Sequence, residues 1–89
     1  MNQELEPLRD QIDQIDEQLV KLVSMRMDVV QEIGALKQAS GTEVQDPQRE
    51  AKVYVRMQQL SQTHNVPLEI VMHIYDYLMQ KSRDSQQVQ

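Results

Sequence analysis

The apolar positions of the first forty residues fall on two interleaved series. Leu8, Ile15, Leu22, Val29 and Leu36 recur every seven residues, and Leu5, Ile12, Leu19, Arg26 and Ile33 run three residues ahead of them. Alternating steps of three and four, sustained for more than four heptads with no proline after Pro7, make an a/d seam of the kind on which helices wrap around one another. The spacing predicts one helix over about residues 5–38. At 1.5 Å per residue such a helix is roughly 50 Å long, whereas a compact chain of this length is about 30 Å across. The helix therefore projects from its own globule. A projecting apolar seam calls for a second chain, and a homodimer is the simplest arrangement.

Ser40-Gly41-Thr42 ends the pattern and opens a loop of about eight residues. Asp46-Pro47 restarts a helix, because Asp is a preferred N-cap and Pro suits the first helical position. Val53, Tyr54, Met57 and Leu60 give this second helix, about 47–63, an apolar face that fades near His64-Asn65. Pro67 opens a third, about 67–85, with Leu68, Val71, Ile74, Tyr75 and Leu78 along one side and a fraying tail after Asp84. No segment alternates as a strand does. The expectation is a single all-α domain over residues 1–89, a helical bundle with a very long first helix.

Composition narrows what such a bundle does. Nine Lys and Arg against fourteen Asp and Glu give a net charge of −5, a poor balance for a nucleic-acid binder, which draws its affinity from neutralising phosphates. Without Cys there are no disulfides, thiol catalysis or ordinary structural zinc sites. No apolar run approaches a membrane span, and MNQELEPLRD lacks the features of a signal peptide, so a small soluble cytoplasmic protein is expected. With no Trp or Phe and only Tyr54, Tyr75 and Tyr77, the core rests on aliphatic side chains and on six Met acting as filler. A chain so short buries little of its surface alone, a further reason to expect association.

The candidate chemistry lies where the pattern breaks. Arg26 holds a seam position that its series otherwise fills with Leu or Ile. It either pairs with an acid of a neighbouring helix, fixing register, or meets an anionic ligand. Lys37, eleven residues on, returns to within about 20° of the same face, roughly 16 Å along the axis. It serves the helix C-terminus or the same anion. Gly34 between them allows a close helix crossing or leaves room for a ligand. On the third helix the apolar line of Val71, Tyr75 and Leu78 continues into Ser82 and Gln86, either a wet helix end or a neutral pair completing a cavity. Asp46 and Glu50 suit the start of the second helix without any function, but Arg49 there is electrostatically unfavourable and points to an anionic partner. Arg9, about 25 Å before Arg26 on the same helix, cannot share a small site with it, although across an antiparallel dimer it approaches the other chain's site. His64 and His73 form no metal-ligand pattern, and the cluster Asp10, Asp13, Asp16 and Glu17 suits a solvated or dimer-rim face.

Taken together, LRDQIDQIDEQLVKLVSMRMDVVQEIGALK, VQDPQRE and MQKSRDSQQ resemble the all-helical chorismate mutases over nearly the whole chain. The resemblance implies three-helix chains intertwined as a homodimer through the long first helix, each active site borrowing one arginine. It places the borrowed arginine at Arg9, the main carboxylate-binding arginine at Arg26 and the active-site lysine at Lys37. The second-helix residues fall at Asp46, Arg49 and Glu50, and the third-helix pair at Ser82 and Gln86. The implied reaction is the [3,3] rearrangement of chorismate to prephenate in the shikimate pathway, with no metal and no cofactor. Orientation and electrostatic preorganisation are then what the protein supplies.

By the same resemblance Arg9 and Arg26 bind the substrate carboxylates, and Lys37 and Gln86 donate to the ether oxygen. Glu50 accepts from the ring hydroxyl with help from Asp46, Ser82 meets a carboxylate, Arg49 orders the loop, and Val30, Ile33 and Val71 are wall residues. Two alternatives stay open: an isochorismate-pyruvate lyase, which by family lacks an acid like Glu50, and a non-catalytic helical dimer binding a carboxylate ligand or partner protein. Association with another shikimate-pathway enzyme is likewise open.

Overall fold

The computed structural model describes residues 3–41 and 47–87, with the backbone alone for Gln86 and Gln87. These residues form three helices, α1 (Leu5–Ser40), α2 (Pro47–His64) and α3 (Leu68–Gln87), with no strand among them. The all-α class expected from the periodicity is the one observed. No helix among the described residues is long and apolar enough to cross a membrane.

The helix ends follow local chemistry. The first helix runs two residues past the expected Gln38 because Gly41 is the residue that turns into the left-handed region, at φ 72°. Its N–H donates to the Gln38 carbonyl at 3.3 Å and also reaches that of Lys37, satisfying carbonyls left over at the last turn. Asn65 closes α2 in the same region, at φ 54°. Its N–H donates to the Gln62 carbonyl (3.4 Å) and that of Val66 to the Ser61 carbonyl (3.0 Å), the paired bonds of a Schellman motif. The Ser61 hydroxyl ties the exit by donating to the Val66 carbonyl at 2.6 Å. Pro67 lies one residue outside α3, where its carbonyl accepts from the N–H groups of Ile70 (3.0 Å) and Val71 (3.3 Å). It thus acts as the capping residue, not the first helical one. The N-cap expected at Asp46 lies outside the described residues.

The middle layer of the packing is α3: α1 and α2 each pack on it and, among the described residues, not on each other. The core is thin, consisting of Val30, Met57, Val71 and Met79 with the buried Gly34. The shape is correspondingly long, 60 × 27 × 15 Å with a radius of gyration of 16.9 Å, against about 12 Å for a compact chain of this length. Leu8, Ile12, Ile15, Leu19 and Leu22 are all more than half exposed. The apolar seam of α1 is thus left bare by its own chain.

Candidate active site

Four α1 residues at helical steps of four, three and four, Arg26, Val30, Ile33 and Lys37, share one face and form one wall of a cavity of about 340 Å³. Arg49, Glu50 and Val53 from the first two turns of α2 face them, and Met79, Ser82 and Arg83 of α3 complete the lining. Since α1 and α2 meet α3 but not each other, a cleft remains between them. Its volume lies at the lower end of the range for small-molecule sites, about 300–1,000 Å³.

Electrostatics set this cleft apart from the rest of the molecule. Arg26, Lys37, Arg49 and Arg83 line it with one described carboxylate, that of Glu50, an excess of three positive charges in a chain of net charge −5. The Arg26 guanidinium, half-buried, donates from Nη1 to Ser82 Oγ at 2.8 Å, and the Ser82 hydroxyl donates in turn to the Leu78 carbonyl at 2.7 Å. Among the described residues no carboxylate pairs with Arg26. A buried-side cation held by a neutral hydroxyl is poised for an external anion, with charge-assisted hydrogen bonds to give it. At Ser82 α3 is thus half-buried and tied to α1.

The predicted site residues are thus largely gathered. Arg26, Lys37, Arg49, Glu50 and Ser82 line the one cavity, with Val30 and Ile33 as apolar wall. Lys37 also stands in the last turn of α1, so its two readings are compatible. Gln86 lies on α3 one turn beyond Ser82, its side chain outside the description, and Asp46 lies outside the described residues. Arg9 is not brought in; it is exposed near the far end of α1, paired with Glu6 at 3.2 Å. Val71, expected as wall, is buried in the core instead, eight residues before Met79 and so about 12 Å along the α3 axis from the cavity.

Arg83 is the residue that the sequence reading passed over. Its Nη1 donates to Glu50 Oε1 at 2.8 Å across the α2–α3 boundary. Arg83 follows Met79 by one turn, but only the packing makes Met79 core and sets the acid opposite, so the sequence carried no signal for it. Near this pair, the Tyr54 hydroxyl donates to Asp76 Oδ1 at 2.8 Å. That hydrogen bond, chiefly, raises the Tyr54 pKa above the usual tyrosine value. A second cavity of about 310 Å³ backs onto the Arg26–Ser82 pair, with Val23 and Met27 of α1 and Tyr77 and Leu78 of α3 making it apolar. The Lys81 ammonium stands 5.4 Å over the Tyr77 ring at its rim.

Fold and cleft together define a class: an all-helical chain with a cation-lined cleft of small-molecule size. Residues 8–87 match the family model described as chorismate mutase type II, and the chain belongs to that family. It is similar to a chorismate mutase of Methanocaldococcus jannaschii, 30% identical over 83 residues that cover 93% of this chain and 84% of the relative. It is 31% identical to a T-protein of Enterobacter agglomerans, over 93% of this chain and 22% of that protein. A bifunctional chorismate mutase/prephenate dehydratase of Aquifex aeolicus is 30% identical over 82% of this chain and 21% of its own length. The chain thus spans most of the first relative and about a fifth of the other two.

Proposed function

We propose that the protein is a chorismate mutase, an isomerase converting chorismate to prephenate in the synthesis of phenylalanine and tyrosine. Within the family, the observation that carries this reading is the cleft that joins Arg26, Lys37 and Arg49 to one acid, Glu50. Chorismate is a dianion that also bears a ring hydroxyl, so it needs cations for two carboxylates and one acceptor for the hydroxyl. In the rearrangement one C–O bond breaks and one C–C bond forms within a single molecule, and the ether oxygen gains negative charge on the way. Catalysis then consists of holding the chair-like conformer and meeting that charge with fixed donors.

In this reading Arg26, steadied by Ser82, binds one carboxylate and Lys37 donates to the ether oxygen. Gln86, by its place one turn after Ser82, is the second donor to that oxygen. Glu50 accepts from the ring hydroxyl with Asp46 alongside, and Arg49 orders the entry to α2. Arg9 completes the site across a homodimer intertwined through α1, each chain lending its arginine to the other. The bare seam of α1 and the distance of Arg9 from its own cavity support that assembly. Glu50 in the cleft favours the mutase over the isochorismate-pyruvate lyase.

The test is the loss of chorismate absorbance with purified protein, the product identified as prephenate, beside an Arg26→Ala control. Turnover by the wild type that vanishes in a folded control is expected. A folded wild type without turnover of chorismate would contradict the reading, and release of pyruvate from isochorismate would replace it with the lyase.

A further inference from the structure

We infer that Arg83 is a positioning residue for this reaction: it holds the Glu50 carboxylate by one oxygen so that the other accepts the substrate's ring hydroxyl. The inference rests on the mutase reading above, and it concerns a residue to which that reading gives no part.

Glu50 stands in a cleft with three cations besides Arg83. A flexible carboxylate there is drawn toward all of them, and a swing onto Arg26 would neutralise the group that the substrate needs. Arg83 removes that competition. It reaches Glu50 from another helix, 33 residues away in sequence, at the short distance of a charge-assisted bond, 2.8 Å. The contact is made to Oε1 alone, and among the described residues Oε2 accepts no hydrogen bond. One oxygen is anchored and the other is left for a donor, the arrangement a hydroxyl acceptor requires. The two side chains are 32% and 38% exposed. A pair so accessible contributes little to folding, so its value lies in where it puts the carboxylate.

Steady-state kinetics with chorismate on the wild type, Arg83→Met, Arg83→Lys, Glu50→Gln and the double variant Glu50→Gln/Arg83→Met test this. Arg83→Met is expected to lower kcat/KM by about 10- to 100-fold, the scale of a misplaced catalytic group, with the helical content and assembly of the wild type. Arg83→Lys, which keeps a cation but not the planar fork, recovers part of the loss. In the Glu50→Gln background the same Arg83 change costs less than about twofold, because the residue it positions is already gone. Should the Met variant fail to fold, Arg83→Gln serves in its place. Unchanged kinetics in Arg83→Met, or a full loss that persists in the Glu50→Gln background, would overturn the inference while the mutase reading stands. A wild type that does not turn over chorismate would remove both.

Discussion

The two halves of α1 carry the same heptad rhythm and meet different fates. In the N-terminal half the seam residues Leu8, Ile12, Ile15, Leu19 and Leu22 are all bare. In the C-terminal half Val29 and Leu36 of the seam are bare too, while Val30 and Gly34 are buried and Arg26 and Lys37 face the cleft. The face that α1 gives to its own chain is thus a second stripe, Val23, Arg26, Val30, Gly34 and Lys37, beside the heptad seam and meeting it at Arg26 and Ile33. The seven-residue repeat is therefore not what this chain buries within itself, and the intramolecular core is written one position over. The same residues serve two purposes only where the stripes meet, at Arg26 and Ile33. At the first of these the series breaks from aliphatic to Arg.

That contrast can be broken at each half. The largest effect is expected from Ile15→Glu, a residue 64% exposed in its own chain. A solitary chain would tolerate the change, whereas a dimer closed over the seam would come apart. We expect a monomer by analytical ultracentrifugation, a lower melting temperature and turnover at background. Wild-type behaviour in all three would remove the seam as an interface. Next in size is Arg26→Ala in the C-terminal half. It should cut kcat/KM by at least about 10²- to 10³-fold, the usual cost of deleting a donor that meets transition-state charge, while sedimentation still reports the wild-type assembly. A variant that lost its assembly first would make Arg26 structural.

The smallest effect is expected away from both halves, at the α2–α3 contact. Tyr54→Phe should leave turnover unchanged and alter only the pH dependence of stability. Its hydrogen bond to Asp76 raises the folded-state pKa above the ordinary tyrosine value of 10.0. The folded chain therefore holds that proton more tightly than the unfolded one. The contribution is fully present below about pH 10 and is lost as pH climbs through the raised pKa. Denaturant titrations of wild type and Tyr54→Phe should differ by a constant amount near neutrality and converge in strong alkali. A difference that grew with pH would contradict the assignment.

The sequence pattern made most of this architecture legible, for identifiable reasons. Three helices could be read because each apolar face repeats with helical period and because Gly41, Pro47 and Asn65 mark ends that only a few residues can form. Arg26 could be read because it violates its own series, and Ser82 because it continues an apolar line. What escaped depends on distance in three dimensions. Arg83 gains its meaning from a carboxylate on another helix, and no local period announces that pairing. Val71 shares a helical line with Ser82, but eleven residues of rise, about 16 Å, separate the two. A face can be read from periodicity, whereas position along the axis depends on where the neighbouring helix stops.

The most direct test of the whole account is a subunit-mixing experiment. Arg9→Ala and Arg26→Ala chains, each expected to be inactive alone, are unfolded together in equal amounts, refolded and assayed for conversion of chorismate to prephenate. If α1 lends Arg9 to the other chain's cleft, half of the refolded dimers are mixed and each carries one intact site, which restores about a quarter of the turnover of refolded wild type. A mixture as inactive as its two parents, beside a wild type that regains full activity, would contradict the shared site.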